Sequence, residues 1–190
     1  MLRSLLALSL VALSPPSWHP SATQEGIAPW EHPEVVKVQC DEGSGTAFRV
    51  GPTNLLSVNH VTSLHGCTIN GAPFKVVQKQ GDFTILSSDQ KADRWLHIDC
   101  GGFVAGKIYE AEGFARGLDT LTTVDATATG EKLGGFARLV GVFTWTPGQS
   151  GGPVIDLTTG NVVGTVNVYN AERGDSGSVP LSTTPVCAHV

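Results

Sequence analysis

The sequence predicts an all-β globule of sandwich or barrel type, and three observations carry that prediction. From about Glu34 onward, short β-branched or apolar runs follow one another closely. Gly, Pro, Asn and Asp break these runs at short, regular intervals. No stretch has a convincing amphipathic helical period, apart from a short turn expected after His60. Composition agrees: charged residues are 15% and hydrophobic ones 41% of 190 residues, with 23 glycines and 11 prolines. That profile suits a turn-rich β protein and excludes coiled coil and disorder. The length suffices for one ordinary domain, or for two small barrels sharing an interface. The formal net charge of −5 leaves no basic footprint for nucleic acid.

At the N-terminus, "MLRSLLALSLVALSPPSWHPSATQ" sets Arg3 ahead of a short apolar run and a Ser/Pro/Ala-rich stretch. This is the layout of a secretory signal peptide, assigned to residues 1–22 with cleavage after Ser14 or Ala22. The run is too short for a membrane-spanning helix, so export without stable membrane insertion is expected. The strand candidates follow as "EVVKVQC", "GTAFRV", "NLLSVNHV", "CTING", "FKVVQKQ" and "FTILSS". Gly51-Pro52-Thr53-Asn54 and Asn70-Gly71-Ala72-Pro73 serve as turns between them. "DCGGFVAG", Asp99 to Gly106, interrupts the rhythm and reads as a linker between two halves. Beyond it come "KIYEAEGF", "LTTVDATATG", "ARLVGVF", "GGPVID" and "NVVGTVNVY".

In an exported chain the four cysteines, Cys40, Cys67, Cys100 and Cys187, read as disulfides with three possible connectivities. Cys40 with Cys67 and Cys100 with Cys187 is preferred, because each pair closes within or beside one half. A zinc site using His60, His65 and Cys67 is the rival, but no C-x-x-C spacing supports it, and no metal or other cofactor is expected.

Ser150 stands in Gly148-Gln149-Ser150-Gly151-Gly152, which formally matches the nucleophile elbow of α/β-hydrolases. Pro153 and the β-branched residues after it predict strand rather than the helix that elbow requires. The order His, Asp, Ser along the chain fits better. A serine hydroxyl needs a base within hydrogen-bond reach, and the base needs an acid to hold its tautomer. His60 ends "NLLSVNH", at a strand end, and Asp82 stands in "QGDFTIL", directly before an apolar run. Asp89 is a weak substitute for Asp82.

Taken in order, "GSGTAF", "LLSVNHV", "GDFTIL" and "TPGQSGGPV" resemble the trypsin-like, chymotrypsin-fold serine proteases over roughly Val36 to Tyr169. Asn59 and Gln149 look closer to the bacterial HtrA-type and glutamyl-endopeptidase branches than to digestive enzymes. The resemblance implies two six-stranded antiparallel β-barrels, at about 34–98 and 104–186 of a single peptidase domain spanning 23–190, with the active site between them. It implies His60 as base, Asp82 as its orienting acid, Ser150 as nucleophile, and the N–H groups of Gly148 and Ser150 as oxyanion hole. Protein or peptide substrates follow from it. Thr144 would form the base of the substrate pocket and Val166, Asn167 and Val168 its wall, favouring a small or medium apolar residue. Trp145 and Tyr169 would narrow that pocket or pack between the barrels. Gln149 cannot form the ion pair that digestive members make with a newly cut N-terminus, so activity is expected without such a cut. The remaining histidines read as bland: His19 and His32 solvent-facing, His65 on a loop, His97 on an edge strand, His189 in the tail.

Overall fold

The computed structural model describes residues 32–141, 145–170 and 175–188. The signal-peptide assignment, Thr144, His19 and His189 lie outside the described residues, as do the side chains of Val168 and Tyr169. Six strands, β1 (Val35–Cys40), β2 (Gly43–Arg49), β3 (Asn54–Val58), β4 (Thr68–Ile69), β5 (Ala72–Gln80) and β6 (Phe83–Ser88), close into one barrel in the order β1-β2-β3-β6-β5-β4. Six more, β7 (Ile108–Gly113), β8 (Thr122–Leu133), β9 (Phe136–Val140), β10 (Pro153–Asp156), β11 (Val162–Asn170) and β12 (Asp175–Pro180), close a second in the order β10-β11-β12-β9-β8-β7. Every pairing between these strands is antiparallel, and closure leaves neither sheet with an open edge.

Alternation of apolar and polar residues decides which face each strand buries. Val36, Val38, Ala47, Leu55, Val58, Ile69 and Leu86 fill the first barrel; Tyr109, Ala111, Ala126, Ala128, Leu139, Val154, Val163 and Val166 fill the second. Trp145 belongs to this second core and is 2% exposed, so it packs inside one barrel rather than between the two. A third cluster draws on both halves: Val35, Phe48, Leu56 and Phe83 meet Ile155, Val162 and Leu181. It fixes how the barrels face each other, and with them the ends of their strands.

Both disulfides join the preferred partners, Cys40 with Cys67 and Cys100 with Cys187. Between the barrels the chain from 89 to 107 is irregular, with one parallel bridge from Ile98 to Val162. His97 lies in this segment and is exposed, not on an edge strand; its carbonyl accepts the Val162 N–H at 2.8 Å. His32 departs from expectation too. Its ring is mostly covered, with Nδ1 2.7 Å from Oε1 of the buried Glu112 on β7, because a carboxylate without exposure draws in the nearest cationic partner.

Candidate active site

Three short turns bring the candidate residues to the barrel mouths. β3 ends at Val58, and the single helical turn α1 (Asn59–Thr62) that follows carries His60. Strands β5 and β6 are joined by only Gly81 and Asp82, because Gln80 pairs with Phe83. Since β3 and β6 are antiparallel neighbours with Val58 opposite Phe83, the next residues outward, Asn59 and Asp82, must also meet. They do: the Asn59 N–H donates to the Asp82 carbonyl at 2.6 Å. Strand register thus brings together two residues 22 apart in the chain, at the mouth of a six-stranded barrel.

Asp82 then holds His60 twice. Its Oδ1 accepts the His60 backbone N–H at 2.8 Å and its Oδ2 lies 2.6 Å from His60 Nδ1. With Nδ1 committed to a carboxylate, the proton sits on Nδ1 and Nε2 is left as the acceptor. A third donor converges on the same oxygen: Asn167 Nδ2 reaches Asp82 Oδ2 at 2.7 Å from β11. Asn167, expected on the pocket wall, therefore turns its amide to the carboxylate. Val166, expected beside it, packs with Trp145 in the second core. Asp89 follows the far end of β6 and is exposed, on the opposite side of the barrel from His60.

Ser150 belongs to a turn, Thr146–Gly152, that leads into β10. It shares a cleft of about 470 Å³ with His60, whose other walls include Ser44, Leu64, Arg116 and Gly148. Among the described residues no hydrogen bond, from His60 or any other group, engages the Ser150 hydroxyl, and Ser150 lines this cleft. Backbone bonds fix the turn's shape. Pro147 O accepts from Arg116 N–H at 2.6 Å, and Gln149 O accepts from Gly152 N–H at 3.0 Å. In a trans peptide the N–H points opposite to the C=O, so the N–H groups of Gly148 and Ser150 are turned away from those partners, and among the described residues neither has an acceptor. Gly148 has φ +95°, and a Cβ there would stand 2.3 Å from Phe114 O. At Gly152 the constraint is space: a Cβ would fall 1.9 Å from Glu112 O, where β7 crosses behind the turn.

Gln149, 1% exposed, is the turn's internal brace. Its Oε1 accepts the Thr146 N–H at 2.8 Å and its Nε2 donates to Thr122 Oγ1 at 3.2 Å. Both ends of a neutral amide are thereby satisfied. Composition and spacing do not disclose this contact, nor that of Asn167, since each depends on partners brought together by barrel closure.

No family model matches the chain, and no curated protein sequence matches it. Solved structures do. The active form of the Rv3671c protease from M. tuberculosis superposes with a TM-score of 0.67 at 20% identity, covering 92% of this chain and 89% of that one. The MamO protease domain from Magnetospirillum magneticum gives 0.62 at 19% identity, covering 83% and 96%. The serine endoprotease from Yersinia pestis gives 0.66 at 19% identity, covering 79% of this chain but only 59% of that one. Together with two closed six-stranded barrels whose mouths meet at His60, Asp82 and Ser150, these likenesses establish that the chain has the trypsin-like, chymotrypsin-type fold of such bacterial proteases.

Proposed function

We propose that the protein is an exported serine endopeptidase that cleaves protein or peptide substrates through an acyl-enzyme. The observation that carries this reading is the grip of Asp82 on His60, by ring and by backbone N–H, in a cleft shared with an unengaged Ser150 hydroxyl. Ser150 Oγ attacks the scissile carbonyl carbon while its proton passes to His60 Nε2. The carbonyl oxygen takes up the electron pair and receives the free N–H groups of Gly148 and Ser150. Asp82 stays a carboxylate and stabilises the imidazolium. The tetrahedral adduct collapses, the C–N bond breaks, and His60 returns the proton to the departing amine. Water then attacks the acyl-serine with His60 again as base, releasing the acid and restoring the hydroxyl.

Two disulfides suit an oxidising compartment, and no helix among the described residues is long and apolar enough to cross a membrane. Gln149, braced by Thr146 and Thr122, gives the serine turn its shape without a charged N-terminus. A form with extra residues ahead of position 23 is therefore expected to be fully active; inactivity until trimming would refute this.

Treating the purified mature protein with a fluorophosphonate probe, and comparing casein digestion by wild type and Ser150→Ala, tests the proposal. Labelling and proteolysis that both vanish in Ser150→Ala are the expected result. Labelling without proteolysis would indicate an esterase, and no labelling a silent binding protein of the same fold.

A further inference from the structure

Thr46, on β2 of the first barrel, is fully buried, yet its polar atoms serve the serine turn of the second barrel. Its Oγ1 donates to Gly148 O at 2.7 Å and accepts the Phe114 N–H at 3.1 Å. Its own N–H donates to Ser150 O at 2.9 Å, and its carbonyl accepts from Ser57 Oγ at 2.7 Å. The hydroxyl proton has one available position, because Phe114 N–H can only donate and Gly148 O can only accept.

This places a clamp on each side of the Gly148 Cα. Pro147 O, preceding it, is held by Arg116 N–H, and Gly148 O, following it, is held by Thr46. With both peptide planes fixed, Gly148 stays at φ +95° and its N–H keeps its direction. Turning the second plane over would strip the buried Thr46 hydroxyl of its acceptor and break the 3.1 Å bond from Gln149 N–H to Thr146 O. The clamp from Thr46 comes from the opposite barrel, so the geometry of the oxyanion donors depends on how the barrels are docked.

We propose that Thr46 is a positioning residue for the oxyanion hole, its hydroxyl locking the Gly148–Gln149 peptide from across the barrel interface. The inference rests on Ser150 being the nucleophile. Thr46→Val keeps the side-chain shape and removes the hydroxyl, whereas Thr46→Ser keeps the hydroxyl and removes the methyl.

On a peptide substrate, Thr46→Val is expected to lower kcat about 10- to 100-fold, less than outright loss of a donor, with KM within about 3-fold of wild type. The pH midpoint of kcat/KM stays put, and affinity for a peptide aldehyde, whose adduct with Ser150 fills the hole, falls by the same factor as kcat/KM. Thr46→Ser recovers kcat to within about 3-fold even where its melting temperature is lower. Unchanged kcat in Thr46→Val would overturn the proposal, as would a change confined to KM. So would a Thr46→Ser variant that loses kcat in step with stability, which also decides the matter if Thr46→Val does not fold. Ser150→Ala runs alongside: if it retained turnover, the nucleophile assignment would fall together with this proposal. An inert Ser150→Ala beside a fully active Thr46→Val would overturn this proposal alone.

Discussion

Replacing Gly148 with alanine adds one methyl group at a position where three backbone atoms converge. The new Cβ would lie 2.3 Å from Phe114 O, 3.0 Å from Gly117 N and 3.1 Å from Arg116 N. None of these belongs to a side chain that could swing aside, and the left-handed φ of +95° adds about 1–3 kcal/mol of backbone strain for a residue with a Cβ. The route of escape is rotation of the Pro147–Gly148 peptide, which breaks the 2.6 Å bond to Arg116 N–H and carries the Gly148 N–H out of the cleft.

The stability cost is then about 1–3 kcal/mol, from strain that is only partly relieved and from the lost hydrogen bond. The catalytic cost is that of one oxyanion donor, about 10²- to 10³-fold in kcat, or roughly 3–4 kcal/mol of transition-state stabilisation. Steady-state hydrolysis of a peptide amide separates the two, because the loss should fall on kcat with KM little changed. Fluorophosphonate labelling should persist, more slowly, since His60 and Asp82 lie in the other barrel. A Gly148→Ala variant with kcat within 3-fold of wild type would refute the assignment of Gly148 as a donor, by the measure that one lost donor costs about 10²-fold or more.

Asn167→Ala removes one of the two donors on Asp82 Oδ2. A hydrogen bond to a charged group contributes about 1.5–3 kcal/mol, so turnover should fall about tenfold or more, and wild-type turnover would show that the bond is idle. His32 makes folding pH-dependent. Its 2.7 Å ion pair with Glu112, aided by the charges of Glu34 and Glu110, outweighs burial and raises its pKa above the ordinary histidine value. A raised histidine stabilises fully below the unfolded pKa, about 6.5, and loses that contribution as pH climbs through the folded value. The melting temperature should therefore decline above about pH 6.5, and Glu112→Gln should flatten the decline; an unchanged slope in that variant would refute the pairing. The disulfides should differ in worth. Their sequence separations of 87 and 27 give loop-closure contributions of about 4.6 and 3.6 kcal/mol. Removing Cys100 and Cys187 as a pair should thus cost about 1 kcal/mol more in denaturant unfolding than removing Cys40 and Cys67. A reversed order would show that chain entropy does not govern them.

Much of this was legible in the sequence because the informative signals are local. Strand alternation and turn residues at "NG" and "GD" define the hairpins, and the antiparallel pairing of β3 with β6 converts two motifs 22 residues apart into one hydrogen-bonded pair. What escaped reading depends on closure. Asn167 meets Asp82 across 85 residues and Thr46 meets Gly148 across 102, and neither contact has a spacing rule. A buried amide such as Gln149 or Asn167 also reads ambiguously in a list of letters, since its partners decide whether it braces a turn, orients a carboxylate or lines a pocket. His32 carried no motif at all; only the buried carboxylate of Glu112 on β7 gave it a role.

The bond from Cys100 to Cys187 begins before the first strand of the second barrel and ends after its last, so the whole barrel lies within one covalent ring. A single cut anywhere inside that ring opens it without dividing the molecule. Copies of a peptidase that nick one another there would keep the Ser150 turn tied to its partner strands and would migrate as one band until a reductant is added. The ring keeps the Ser150-bearing half in one covalent piece, and leaves the segment before Cys40, the stretch from Cys67 to Cys100 and the residues after Cys187 as the places where one cut could separate the chain.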